Sequence, residues 1–166
     1  MDTVYIETSI VSIAAAWPSR DLQTAALQQQ ARDWWHYERP KFELVTSQLT
    51  ITEATAGDQT AAAERLKLLD GIRLVPIDAD VEHLAAKILA AHLMPQKAAA
   101  DALHVAAAAR AGVKYLLTLN CKHIANAHEL PRVNVLLDDE GFGQLLICTP
   151  SQFLGGDDDD GQTSDP

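Results

Sequence analysis

The 166 residues predict an α/β fold, three layers deep, with a mostly parallel central sheet of about five strands between two layers of helices. Short β-branched or aromatic runs recur along the chain, and stretches with helical spacing separate them. Such separations demand crossover connections, which are right-handed and set the strands parallel. The composition, 48% hydrophobic and 22% charged, is that of one ordinary globular domain.

Thr3 to Ile6 reads as the first strand and stops at the polar triplet Glu7-Thr8-Ser9. Asp21 can cap a helix running to Tyr37, with Leu22, Ala25, Ala26 and Trp34 near helical spacing and Pro40 as its stop. Phe42 to Thr46 gives a second strand. A helix from about Gln48 to Gly57 then carries Glu53, and Gln59 to Leu69 forms another, with Ala62, Ala63, Leu66 and Leu69 on one face. Ile72 to Ile77 reads as a third strand, and Asp78 caps a helix whose apolar face is Val81, Leu84, Ala85, Ile88 and Leu89. An alanine-rich helix from about Ala98 to Ala111 ends at Gly112, and its small side chains suit close approach to the sheet. Lys114 to Thr118 is a fourth strand with Asn120 just beyond it. A short helix is expected over Cys121 to His128, a fifth strand over Val133 to Leu137, and an edge strand over Leu145 to Cys148.

The formal charge is −10, but five acids (Asp157, Asp158, Asp159, Asp160 and Asp165) sit at the C-terminus, leaving 18 acids against 13 bases in the body. Residues 1–154 are expected to be the domain and 155–166 an acidic, disordered tail. Cys121 and Cys148 form no disulfide framework or zinc pair. No apolar run approaches a membrane span of roughly 18 residues, and the N-terminus lacks the pattern of a secretory signal. A cytoplasmic protein that does not enter membranes is the expectation.

In a parallel sheet, ligands bind outside the carboxyl ends of the strands. Glu7 ends the first strand, Asn120 follows the fourth, and Glu53 and Asp101 lie on helices that start near the same edge. Singly, each has a plain alternative as a helix cap or a solvated acid. Three carboxylates and a carboxamide together would repel one another unless a hard cation joined them. Oxygen-only ligation suits Mg²⁺ or Mn²⁺, which keep open positions for a phosphate oxygen. Hydrolysis of a phosphodiester without a protein nucleophile is the chemistry such a site supports.

At these residues, VYIETS, TSQLTITEA, DALHVAAAA and LLTLNCKHI, the sequence resembles the PIN-domain family of metal-dependent nucleases, and in particular VapC-type toxins of bacterial toxin–antitoxin pairs. The resemblance spans most of residues 3–154. It implies a PIN-like α/β/α fold and an endoribonuclease with Glu7, Glu53, Asp101 and Asn120 as its catalytic set. Glu7, Glu53 and Asp101 would bind the metal, Mg²⁺ or Mn²⁺, while Thr8 and Ser9 assist through hydrogen bonds. Its implied partners are RNA, a cognate antitoxin and a second copy of the chain. Two positions depart from the family pattern: Glu7 replaces the usual Asp and reaches about 1.5 Å farther, and Asn120, where Asp is common, brings no charge. One firmly held metal is therefore expected.

His104 and His123 lie near these positions and are read as packed or exposed rather than as ligands. Trp34 and Trp35 are read as core or interface residues. Lys97, Arg110, Lys114 and Lys122 flank the set and offer contacts to phosphates. The alternative reading is a catalytically weak PIN-like module that binds RNA or a protein, motivated by Asn120 and the acidic surface. A phospho-accepting receiver would need paired acids after the first strand, and Glu7-Thr8-Ser9 does not supply them.

Overall fold

The computed structural model describes residues 1–155. Five strands, β1 (Thr3–Ile6), β2 (Glu43–Ser47), β3 (Arg73–Val75), β4 (Tyr115–Leu117) and β5 (Leu146–Cys148), form one sheet in the order β3-β2-β1-β4-β5, with every pairing parallel. Between them run α1 (Thr8–Ala15), α2 (Leu22–Asp33), α3 (Gln48–Thr55), α4 (Gln59–Leu69), α5 (Ala79–Ala90), α6 (Ala99–Arg110) and α7 (Leu130–Asp139).

Alternation along β1 divides the core into two layers. Val4 and Ile6 face one way, against Ile10 and Val11 of α1, Trp34, Ala54 of α3 and Leu69 of α4. Tyr5 faces the other way with Val45 and Leu116, against α5, α6 and α7. All three β1 side chains are fully buried, as expected for a parallel strand covered on both faces. In α6, Ala102 and Ala106 to Ala109 are buried, so the run of alanines lets its backbone approach the sheet. Gly112, at φ +68°, reverses the chain after that helix in the left-handed conformation that glycine adopts without strain.

Four expectations from the sequence change. The polar triplet after β1 is the start of α1, a helix the sequence reading left out: Glu7 caps it by accepting the N–H of Ser9 at 3.1 Å. The next helix ends at Asp33, continues as a π-helical turn over Trp34–Glu38, and tightens into a 3₁₀ turn over Arg39–Lys41 that accommodates Pro40. Cys121 to His128 forms turns rather than a helix; Ile124 and Ala125 both donate to the Asn120 carbonyl. Val133 to Leu137, read as a strand, lies inside α7, where Pro131 fits the first turn and Val133 and Leu137 bury at i, i+4 spacing. The strand expected at Leu145 to Cys148 is β5. Residues 156–166, most of the expected acidic tail, lie outside the described residues.

Burial pushes the Cys148 thiol on β5 up to about 12, whereas Cys121 is exposed. Because the thiolate is the nucleophile, iodoacetamide at about pH 8 is expected to alkylate Cys121 alone in the folded chain and both cysteines after denaturation. Peptide mapping of native protein that finds Cys148 labelled would contradict this packing.

Candidate active site

The strand order selects the location. Strands β1, β2 and β3 proceed to one side and β4 and β5 to the other, so the winding reverses between β1 and β4. Crevices at such reversals hold the ligand in open α/β sheets. Glu7 follows β1 at this point, and Thr118, Leu119 and Asn120 follow β4.

Glu7 is 4% exposed. Its Oε2 accepts the Ser9 N–H at 3.1 Å, the Thr118 hydroxyl at 2.8 Å and the Ser9 hydroxyl. These donors, together with the positive end of α1, compensate the desolvation of a buried carboxylate. Ser9 Oγ in turn accepts the Leu119 N–H at 2.8 Å, tying α1 to the end of β4.

Glu53 projects from α3. Its Oε1 accepts the Thr8 hydroxyl at 2.8 Å and lies 2.5 Å from Nε2 of His104 on α6, a ring with no exposure. Partial burial pushes the Glu53 carboxyl up, but the hydrogen bond and electrostatic attraction from His104, with the Thr8 hydroxyl, outweigh it and leave the group below its ordinary value of 4.5. The other ring nitrogen of His104 is 2.9 Å from the Tyr5 hydroxyl, itself 2.7 Å from Ser47 Oγ. Burial pushes the Tyr5 hydroxyl up to about 12, with the fields of Glu7 and Glu53 adding to the effect against hydrogen bonds from Ser47 and Thr50.

Asp101 lies in the first turn of α6, and its Oδ2 is 2.9 Å from Nδ1 of His123. The His123 backbone N–H donates to Asn120 Oδ1 at 3.0 Å, and the Asn120 N–H donates to Thr118 Oγ1 at 3.0 Å. Glu7, Thr8, Ser9, Glu53, Asp101 and Asn120 thus share one network of hydrogen bonds and chain neighbours. It also contains Tyr5, Ser47, His104, Thr118 and His123, which the sequence reading did not select. The signal for His104 is a lone imidazole within a run of buried alanines.

The basic candidates separate. Arg110 ends α6 and pairs with Asp80, and Lys114 precedes β4 and pairs with Asp2, both toward the opposite edge of the sheet. Lys97 and Lys122 remain close in sequence to Asp101 and His123. Trp34 is fully buried against Phe42 and Phe153, which rules it out as a stacking platform.

A family model for the PIN domain matches residues 4–128, from β1 through the turns that carry Asn120 and His123. The chain belongs to the PIN-domain family. PIN domains are nucleases, which places the chain among hydrolases. Comparison with curated proteins finds no match. Among solved structures the chain is similar to VapC20 of Mycobacterium tuberculosis, a sarcin-ricin loop cleaving toxin, with a TM-score of 0.55 and 18% identity over 75% of this chain and 95% of that one. That likeness extends the family assignment to the three-layer fold.

PIN nucleases use divalent metals, and this PIN domain offers the appropriate kind of donor. Glu7 Oε1, Glu53 Oε2 and Asp101 Oδ1 make no hydrogen bond among the described residues, and none of the three acids pairs with Lys or Arg there. The donors are not gathered, however: among the described residues no three of His, Cys, Asp and Glu converge closely enough to enclose an ion. In chemical kind alone, carboxylate oxygens suit a hard cation such as Mg²⁺ or Mn²⁺.

Two outcomes test this geometry. Tyr5→Phe leaves the His104 nitrogen without its hydroxyl partner in a buried site and is expected to destabilise the fold by about 1–3 kcal/mol, read from urea denaturation. Because Glu53 is held below 4.5, its contribution to stability is full above that pH and is lost as pH falls through the lower folded value. Glu53→Gln should therefore flatten part of the acid limb of a stability–pH curve, and an unchanged limb would contradict the His104 and Thr8 contacts.

Proposed function

We propose that this PIN domain is a Mg²⁺- or Mn²⁺-dependent endoribonuclease and the toxin of a toxin–antitoxin pair, acting in the cytoplasm and blocked by a cognate antitoxin. The observation that carries the reading is that Glu7, Glu53 and Asp101 belong to one network of hydrogen bonds and chain neighbours that includes the reversal between β1 and β4, and that among the described residues none of the three pairs with a Lys or Arg. RNA as substrate and an antitoxin as partner are supported by the similarity to VapC20, itself a toxin that cleaves the sarcin-ricin loop. Assembly as a homodimer belongs to the same proposal. Among the described residues no helix is long and apolar enough to cross a membrane.

In this reading Glu7, Glu53 and Asp101 are the residues that would hold the cation. When bound, the ion supplies Lewis-acid stabilisation of the charge that builds on the phosphate during hydrolysis. Thr8 fixes one oxygen of Glu53, and Ser9 with Thr118 fixes one oxygen of Glu7, so the free oxygens present a constant geometry. Lys97 and Lys122 supply positive charge toward the RNA backbone.

One observation favours the second reading, a PIN-like module that binds RNA or protein with little cleavage. Asn120 Oδ1 is already occupied by the His123 N–H, so the fourth family position serves here as a loop clamp and contributes no charge.

A single experiment separates the two. Purified chain incubated with a mixed RNA pool is expected to cleave with Mg²⁺ or Mn²⁺ and not with EDTA. Asp101→Asn should lower cleavage by more than about 100-fold, beyond the loss usual for outer partners of a metal ligand. Asn120→Asp, which keeps the acceptor for His123 and adds a charge, should retain or raise cleavage at limiting Mg²⁺. Absence of cleavage by wild type and Asn120→Asp at every metal concentration would favour the binding module.

A further inference from the structure

The two buried side-chain donors that find no partner among the described residues, Trp34 Nε1 and Arg39 Nε, flank one feature, the π-helical turn Trp34–Glu38. Such turns are rare and frequently mark functional sites. Here the turn sends Trp34 into the core and sets Trp35 and Arg39 along a groove of about 780 Å³ between the end of α1, α2 and α4, with Ala14, Arg32, Lys67 and Leu68 on its other walls. The groove meets α1 at its last residues, at the opposite end of that helix from Glu7 and the candidate active site.

The groove carries positive charge in an acidic protein. Lys67 pairs with Glu64, but neither Arg32 nor Arg39 pairs with a carboxylate among the described residues. Arg32 donates to the Ala14 and Ala16 carbonyls at 3.0 and 2.8 Å, bonds that leave its charge uncancelled. Arg39 lies over the Trp35 ring at 5.1 Å. With its Nε closed off from water, the terminal nitrogens of Arg39 are what it offers, and their planar fork matches a carboxylate.

We propose that the acid run Asp157–Asp160 of this same chain docks in the groove, its carboxylates meeting Arg39 and Arg32. Docked there, the acids close the groove to the phosphates of a nucleic acid. The proposal is independent of the metal site.

Residues 156–166 lie outside the described residues, and attachment, tether length and charge favour them as the occupant. Phe153 packs edge-on against Trp34 at 6.0 Å and against Phe42 at 5.6 Å, after a 3₁₀ turn over Pro150–Gln152 that lies beside α2. Phe42 and Arg39 line one further cavity, so the chain leaves Phe153 close to the groove. Asp157 is four residues past Phe153, a reach of about 14 Å when extended. A tether this short holds the acids at an effective concentration of about millimolar. An outside polyanion has no tether and must approach a chain of formal charge −10.

The test places a nitroxide on the full chain by Gln162→Cys, with Cys121→Ser removing the exposed native thiol. Paramagnetic broadening of the Trp35 indole N–H and of the Arg39 Nε–H is compared at about 0.1 and 1 M NaCl, between which the Debye length falls from about 10 to 3 Å. Attachment alone brings the label near the groove, so the salt-dependent part is the signal. Broadening should fall at least about threefold at the higher salt, where charge attraction is screened. It should fall equally at low salt when Asp157→Asn, Asp158→Asn, Asp159→Asn and Asp160→Asn are combined, a variant that alters no described residue. Arg39→Gln, read at Trp35 with Tm as the check on folding, should give the same loss. Broadening that is indifferent to salt and to the four combined changes overturns the proposal. Decauridylate titrated with EDTA present, and followed at the Arg39 Nε–H, should bind the combined variant at least about fivefold more tightly than wild type, because the tethered acids no longer compete. Equally tight binding at Arg39 in both chains would assign the groove to RNA and overturn the proposal as well.

Discussion

A carboxylate buried at the end of the central strand is the constraint on which the rest of the site depends. Glu7 is almost fully removed from water at the point where β1 gives way to α1. A charge in that position is tolerable only with several donors around it. Those donors, the Ser9 amide and hydroxyl and the Thr118 hydroxyl, come from α1 and from the end of β4. Satisfying Glu7 therefore fixes the first helix to the strand across the winding reversal, and the crevice acquires its floor. Ser9 completes the clamp by accepting the Leu119 amide.

The same economy of donors governs the other two acids. Glu53 and Asp101 carry charges that a compact chain would ordinarily pair with lysine or arginine, as it does at Asp2, Glu43, Asp80 and Glu140. At the crevice it uses hydroxyls and imidazoles instead. Hydroxyls lower the cost of burying a carboxylate without adding charge, so the local field stays negative. Glu7, held by hydroxyls and an amide alone, is stabilised without a compensating charge, unlike the ion-paired acids elsewhere.

Much of this was legible in the sequence, for identifiable reasons. Strands β1, β2 and β4 are β-branched or aromatic runs bounded by polar residues, and α5 shows an apolar stripe at helical spacing. Glu7, Glu53, Asp101 and Asn120 could be selected because the parallel topology brings strand ends to one edge. Two of the elements that differ from expectation, α1 and α7, have patterns that are ambiguous over few residues. The apolar run of α1 follows a strand with no loop, which hides a helix capped by the strand's own last polar residue. Val133 to Leu137 alternates like a strand, and its helical identity rests on Pro131 in the first turn and on burial at i, i+4. The histidine contacts were out of reach for another reason: His104 meets Glu53 from 51 residues away, and no local spacing encodes that encounter.

The sequence distance between partners also sets when the crevice can exist during synthesis. Glu7 leaves the ribosome well ahead of its Thr118 partner, 111 positions later, and His123 follows only after that. A nascent chain emerges at about 5–20 residues per second, so Glu7 waits for seconds with only its Ser9 donors and without the Thr118 hydroxyl. An abandoned chain that stops short of residue 118 has β1, β2 and as many as all three acids, Glu7, Glu53 and Asp101, but lacks the Thr118 hydroxyl that ties Glu7 to the end of β4. The complete network of contacts forms only in chains that have been translated past residue 123.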